Sequence, residues 1–577
     1  MRLDRLVRVD EWFLTAAERG NPATRLDGRR GDDMAWSTGN DVTVLIHGKT
    51  YFAELLRSIR LMRAGDLLLF TDWRGDPDQR LDETGNRVSH EFAAAAARGV
   101  TVKGLLWRSH LDQFAFSEQE NRHLGEEIEA AGGECVRDMR VRPGGSHHQK
   151  FVVLRHPGRP ELDVAFAGGI DLCHSRLDGP EHRGDRQRQP MAKIYGPRPP
   201  WHDVQLRIQG PAVADLETVF RERWEDPARL TRNPINVISD VLRREDRSCG
   251  VLPPQLPDPA VRGSQYVQVL RTYPLRRPGY PFAPRGERSV AHAYEKVIGR
   301  AHSLIYLEDQ YLWAVDVMRC FADALRANRQ LRLIAVVPLH PDQDGRLSKP
   351  PNLAGRQQAI DMLRAAGGDR VAIYGIENHA GTPVYVHAKV CVVDDVWASV
   401  GSDNVNRRSW THDSELSCAI LDEVRDDRDP QIIDRDGHGA RRFARRLRLE
   451  LAREHLDRLP GDDLDLLDPV GAFDAFASTA RDLEAWHQGA RGGRPPGRLR
   501  PYDAPRLSRR TMAWAVPLYH AVYDPDGRPW ALRRRHQFCP APRLTTTRKQ
   551  AVARHASRVP WFAQAASRTA RRRSVVS

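Results

Sequence analysis

The chain contains the same order of elements twice. Near its start, VTVLI (42–46), a helical-period stretch YFAELLRSIRLMRAG and the apolar run LLLFTDW follow one another; YVQVL (266–270), SVAHAYEKVIGRAHS and LIYLEDQYLW (304–313) repeat that order. GVTVKGLLWRS (99–109) has its counterpart in LRLIAVVPL (331–339), HHQKFVVL (147–154) in VHAKVCVVDD (386–395), AFAGGIDL (165–172) in ASVGSDNV (398–405), and HDVQLRI (202–208) in HDSELSCAI (412–420). The offset is about 239 residues. Such a duplication constrains the fold more than any composition does, because one set of strands and helices must be buildable twice. Apolar β-branched runs alternating with helical-period stretches indicate α/β architecture with a largely buried sheet. The expectation is two similar α/β halves packed about a pseudo-two-fold axis, each a mixed β-sheet flanked by helices, plus a C-terminal basic extension.

The boundaries follow from shifts in pattern. Residues 1–40 read as an N-terminal extension, 41–225 as the first half, 226–262 as a Pro-rich linker, 263–425 as the second half, and 426–577 as a helical and Arg-rich extension. The Gly/Pro/charge-rich stretch 178–200 reads as a long loop. No run of uncharged apolar residues approaches the roughly 18 needed for a membrane span. The charged start MRLDRLVRVDEWFLTAAERG lacks the apolar region of a signal peptide, so a cytoplasmic protein is expected, with peripheral contact at the inner membrane surface. Seven scattered cysteines without a CxxC pair argue against a disulfide framework or a zinc site.

The chemistry sits in three His-x-Lys triplets, where 22 His and 8 Lys in 577 residues would give about 0.3 by chance. His47-Gly48-Lys49-Thr50 resembles half of a phosphate loop, but Thr43 stands where that loop needs glycine, so it reads as structural. The other two, His148-Gln149-Lys150 and His387-Ala388-Lys389, each open an apolar strand, and period-two alternation puts His and Lys on one face. Each is followed by a second strand ending in Gly168-Gly169 or Gly401-Ser402, where backbone can approach a ligand closely, and then by an acid entering a further strand, Asp203 or Glu415.

Splitting a phosphodiester through a covalent intermediate calls for these residue types. Two facing histidines supply a neutral imidazole to attack phosphorus and an imidazolium to protonate the leaving oxygen. Two lysines neutralise the non-bridging oxygens. A carboxylate on each imidazole's other nitrogen fixes the tautomer. No metal and no cofactor are required.

This doubled constellation resembles the phospholipase D superfamily, whose hallmark is a duplicated HxKxxxxD motif. The second copy is complete, with Asp394 and then GSDN (401–404); the first carries Arg155 where the motif has Asp, and Asp163 is the acid available nearby. The resemblance covers roughly residues 40–425 and includes the contexts HHQKFVV, GGIDL, PWHDV and IYLEDQYL. It implies that His148, Lys150, His387 and Lys389 form the phosphate site, that Asp203 and Glu415 orient the histidines, and that Asn404, with Ser402 and Gly169, lies on the substrate side. It implies a structural role for Asp394. The activity implied is headgroup hydrolysis or transfer on glycerophospholipids, giving phosphatidic acid, by a protein expected to be a monomer.

The same core serves phospholipid synthases and nucleases, and a site without activity could serve binding alone. Charge distribution bears on that choice. The formal charge is +13, but residues 485–577 hold 20 Lys/Arg against 3 Asp/Glu, a net of +17 that leaves the first 484 residues at −4. The catalytic portion therefore lacks the basic surface a nuclease uses to track phosphates, and nucleic acid is the less expected partner. The Arg cluster at 548–573, with Trp561 and Phe562, is the candidate contact with anionic membrane.

Overall fold

In the computed structural model, which describes residues 8–109, 118–243, 248–431, 433–489, 492–503, 506–534 and 538, both halves contribute to one large sheet. The first half supplies β1 (Ser37–Ile46), β2 (Leu67–Asp72), β3 (Thr101–Trp107), β4 (Glu134–Asp138), β5 (Phe151–Arg155), β6 (Val164–Gly168), β7 (Trp201–His202) and β8 (Val204–Gln209). The second supplies β9 (Gln265–Tyr273), β10 (Glu287–Arg288), β11 (Leu304–Glu308), β12 (Arg332–Val336), β13 (Val371–Ile376), β14 (Tyr385–Val386), β15 (Val390–Val393), β16 (Trp397–Gly401) and β17 (Glu415–Asp422). A last strand, β18 (Leu499–Pro501), adds to the edge of the second half.

Strand order reads alike in both directions from the β1–β9 junction. One way it runs β1, β8, β6, β5, β2, β3, β4; the other way, β9, β17, β16, β15, β11, β12, β13. In each half the inner strands pair antiparallel and the outer three pair parallel. The parallel strands are continuous apolar runs, LLLFTD and LIYLE, because helices cover both faces and leave no polar side. The register is conserved to the residue: Gly168 lies opposite Gln205 as Gly401 lies opposite Ser417, which makes Asp203 and Glu415 structural equivalents.

In each half the final strand leads to a buried helix, Ala212–Trp224 in the first and Arg442–Leu456 in the second. Both pack apolar side chains into a core shared across the junction, including Val219, Phe220, Leu447 and Leu451. Among the described residues no helix is long and apolar enough to cross a membrane.

The boundaries drawn from the sequence do not correspond to separate bodies, since the chain up to Phe538 is one compact unit. The N-terminal extension is built in: the Arg19 guanidinium is buried on Glu287 and the Val269 carbonyl. The linker contains the helix Pro234–Arg243, and its Pro257 carbonyl accepts from Arg155. From the C-terminal extension, the helix Arg442–Leu456 and β18 complete the second half. The helical period expected after residue 425 is present in Arg442–Leu456, whose buried face carries Arg445, Arg448 and His455 among its leucines. The Arg cluster at 548–573 lies outside the described residues.

Candidate active site

The two halves meet by exchanging segments at the site. Strands β7 and β14 pair in parallel, placing Val386 beside His202, and an isolated parallel bridge places His147 beside Ser414. The His387 N–H therefore donates to the His202 carbonyl at 2.8 Å, and the His148 N–H to the Ser414 carbonyl at 2.9 Å. Each His-x-Lys segment is extended and stops just short of its strand, β5 or β15, held by the opposite half of the molecule.

The carboxylates are consequently crossed. His148 Nδ1 lies 2.9 Å from Glu415 Oε2, and His387 Nδ1 lies 2.6 Å from Asp203 Oδ2. A carboxylate accepts, so each Nδ1 carries the hydrogen and each Nε2 is left as the reactive nitrogen. Lys150 and Lys389 fold back so that each Nζ donates to its own histidine's carbonyl, His148 O at 2.9 Å and His387 O. The ammonium groups are thus fixed beside the imidazoles. Trp73 borders His148 with ring centres 6.2 Å apart, and Trp201 packs on His387 at 5.0 Å.

Burial dominates the electrostatics. It pushes both imidazoles well below the usual histidine range, reinforced by Lys150 and Lys389 at His148 and by Lys389 and Arg176 at His387. It lowers Lys389 to about 8 and raises Asp203. Glu415 is pushed up to about 8, by burial first and then by neighbouring Asp413. Before a ligand arrives, the site therefore holds two neutral imidazoles, with Lys150 and Lys389 beside them. An incoming phosphodiester anion supplies the charge that would let one imidazole take up a proton.

The glycine positions have a different physical reason from the one expected. A Cβ on Gly169 would sit 2.2 Å from Asp203 Oδ1, and one on Gly401 would overlap the Ser417 side chain. These residues are small so that carboxylate and sheet can close behind the histidines. The Ser402 hydroxyl donates to Glu415 Oε2 at 2.6 Å and accepts from the Leu416 N–H, so it braces Glu415. Asn404 is buried, and its Oδ1 has no hydrogen-bond partner among the described residues. Its equivalent Asp171 is 3.3 Å from Lys150 and 3.2 Å from Arg176. Asp394 accepts from the backbone N–H groups of His302, Ser303 and Leu304 at 2.7, 2.7 and 3.0 Å, tying down the entry to β11.

Sequence reasoning missed several supports. Gln310, in IYLEDQYL, accepts from Lys389 Nζ at 3.3 Å, and Arg176 stacks 3.9 Å above the Trp201 ring. Asp72 and Asp309 hold the loops after β6 and β16 through one matched bond each, from Leu172 N–H at 2.8 Å and Val405 N–H at 2.7 Å. The duplicated LLLFTDW and LIYLED segments carried the signal for that last pair.

Comparison with known proteins agrees with this geometry. Residues 117–271 match the family model described as phospholipase D, and residues 294–429 match the model described as cardiolipin synthase, PLD-like domain. Phospholipase D beta 1 of Arabidopsis thaliana is 28% identical over 370 residues, covering 47% of this chain and 34% of the relative. Phospholipase D1 of Saccharomyces cerevisiae is 25% identical over 541 residues, covering 77% of this chain and 30% of the relative. The chain thus spans about a third of the length of these curated relatives. A phosphatidylserine synthase of Haemophilus influenzae aligns in structure with a TM-score of 0.45 and 14% identity, over 66% of this chain and 82% of that one.

Proposed function

The chain belongs to the phospholipase D superfamily, and we propose that it is a phosphodiesterase that cleaves or exchanges the headgroup of glycerophospholipids. The observation that carries this reading is the crossed pair of His–carboxylate contacts with a lysine beside each histidine. His148 is the proposed nucleophile, and its side chain is the more open of the two, 16% exposed against 6% for His387.

The His148 Nε2 lone pair attacks phosphorus, and the bond from phosphorus to the headgroup oxygen breaks. His387, charged once the anion is bound, gives its Nε2 proton to that oxygen. Lys150 and Lys389 balance the non-bridging oxygens, and Glu415 stabilises the Nδ1–H of the phosphorylated His148. His387, now neutral, takes the proton of the next hydroxyl as that oxygen attacks phosphorus and His148 leaves. Water gives phosphatidic acid; a primary alcohol gives a phosphatidyl-alcohol. Hydrolysis and transfer are two fates of one intermediate.

Lipid is favoured over nucleic acid by an exposed apolar surface. Ile235, Ile238, Val241 and Leu242 of the helix Pro234–Arg243 all face solvent, while Asp240 anchors the helix to Arg108 just past β3. A face of this kind suits insertion at a membrane interface, and the Arg cluster at 548–573 would add attraction to anionic headgroups. The test is product partitioning from phosphatidylcholine vesicles over an ethanol series, with single-stranded DNA as the competing substrate. Phosphatidylethanol should rise at the expense of phosphatidic acid. Cleavage of DNA alone would refute the lipid reading, and lipid cleavage without phosphatidylethanol would refute the shared intermediate.

A further inference from the structure

Behind the His387–Asp203 pair lies a second cluster of histidines that the phosphodiester chemistry does not use. His47 follows β1, His182 lies in the long loop, His202 ends β7, and Glu454 comes from the helix Arg442–Leu456. One potential ligand atom from each lies within 4.8 Å of all the others. The three imidazoles are buried, and His47 and His182 hold their rings in place from backbone at φ +68° and +50°, conformations that cost energy in a residue with a Cβ.

Donor and acceptor accounting leaves one contact of this cluster without a hydrogen. His182 Nδ1 lies 3.2 Å from the Trp201 carbonyl, which only accepts, so Nδ1 carries the hydrogen. The other nitrogen of that neutral ring, Nε2, is then a lone pair, yet it faces Glu454 Oε1 at 3.1 Å. His202 differs, because against the cost of burial Glu308 and then Glu454 push it up to about 10, so in the metal-free site it is the ring that takes the proton. Its Nε2 donates to Glu308 Oε2 at 2.7 Å, and its Nδ1 stands 3.2 Å from Glu454 Oε1 without a hydrogen bond. His47 Nε2 approaches the other Glu454 oxygen at 2.7 Å. The His182 Nε2 lone pair and a carboxylate oxygen thus meet in a buried space where like acceptors repel.

We propose that His47, His182, His202 and Glu454 bind a divalent transition-metal ion, zinc by the character of the donors. Three imidazole nitrogens and one carboxylate oxygen make a tetrahedral set. Bonds of about 2.0–2.1 Å would separate ligand atoms by about 3.3 Å, close to the 3.1 and 3.2 Å separations around Glu454 Oε1. The outer partners fit as well: the Trp201 carbonyl fixes His182, and Glu308 fixes His202 while also engaging His455 Nε2 at 2.7 Å and the Tyr306 hydroxyl at 2.6 Å. The role is structural, because all four positions are taken by protein. It reaches catalysis through the backbone, since His202 precedes Asp203 and its carbonyl receives the His387 N–H. The ion joins the first half to the C-terminal helix. The proposal is independent of which phosphodiester is cleaved.

Elemental analysis of the full chain, purified without chelator, should find about one zinc per chain. His182→Ala and Glu454→Gln should each lower that content about tenfold or more, whereas His174→Gln, outside the cluster, should leave it unchanged. Cobalt exchanged into the wild-type chain should give the intense visible absorption of a tetrahedral site. That measurement stands even if the variants fail to fold. Wild-type protein that retains neither zinc nor cobalt after incubation and desalting would overturn the proposal and leave a metal-free ion-pair network. Metal kept equally by folded His182→Ala would also overturn it.

Discussion

The two halves agree where they touch the reaction and differ in how they hold themselves together. Both place a histidine Nδ1 on the opposite half's carboxylate and a lysine Nζ on the histidine carbonyl. At the end of the motif strand they part. In the second half the β15 end is acidic: Asp394 caps three backbone N–H groups, and Asp395 pairs with Arg445 and Arg448 of the following helix. In the first half the polarity is reversed. Arg155 ends β5 and pairs with Asp163 at 2.9 Å and with Glu217 of the equivalent helix. Two of the N–H groups that Asp394 caps have counterparts in Gly65 and Asp66, which donate instead to the Gly99 and Arg63 carbonyls. The Asp of the motif is thus one solution to a local burial problem, and the first half has another.

The largest effect tests whether the halves act as one unit. His148→Ala and His387→Ala should each lower kcat by about 10⁴-fold or more, and the double variant should be little worse than either. Activity surviving in one single variant would break the equivalence. The crossed carboxylates sharpen this. Asp203→Asn and Glu415→Gln should each cost about 10²–10⁴-fold on phosphatidylcholine. A phosphatidyl ester of p-nitrophenol, whose leaving group needs no proton, should restore headgroup release by Asp203→Asn but not by Glu415→Gln. Rescue of the opposite variant would exchange the roles of His148 and His387.

Stability tests the divergence itself. Arg155→Met leaves Asp163 and Glu217 buried without their cation and should cost about 3–5 kcal/mol, read as a loss in denaturant midpoint. Arg155→Asp, which restores the motif's residue type, should be worse still, because it adds a third carboxylate where no free N–H awaits it. A more stable Arg155→Asp would mean that the first half had merely lost its Asp. Asp394→Ala should cost about 3 kcal/mol or more, through three orphaned N–H groups.

The smallest effect is a pH limb. Lys389 is lowered to about 8, so its cation is present below that pH and lost above it. The free-enzyme profile of kcat/KM should therefore fall about tenfold per unit above pH 8. Lys389→Arg, less active but permanently charged, should lack that limb. A limb that persists in the variant would belong to another group.

The repeat was legible because strands with two buried faces are written as plain apolar runs, and the paired motifs stood out because lysine is scarce. The crossing of the carboxylates was not legible: His148 and Glu415 are 267 residues apart, and only the parallel contacts of β7 with β14 and of His147 with Ser414 decide the pairing. The fate of Arg155 was also hidden, since its partners lie in a loop, a helix and the linker. The His47 triplet looked incidental because its companions are spread over four hundred residues, and a search for cysteine pairs could not have found them. The C-terminal helix was legible as a helix but placed in an extension, because Arg445 and Arg448 score as hydrophilic although both are buried on Asp395.

The exchange of segments has a consequence for how such a chain could arise. A polypeptide holding one repeat would carry a histidine and an acid that cannot reach each other, so one copy alone would be inert and two identical copies would complete two triads between them. Joining the copies end to end removes the need to find a partner. It also lifts the requirement that both be the same, so each copy is free to collect its own buried charges while the residues facing the other stay fixed. Arg155 and Asp394 record that freedom; His148 and His387 record its limit.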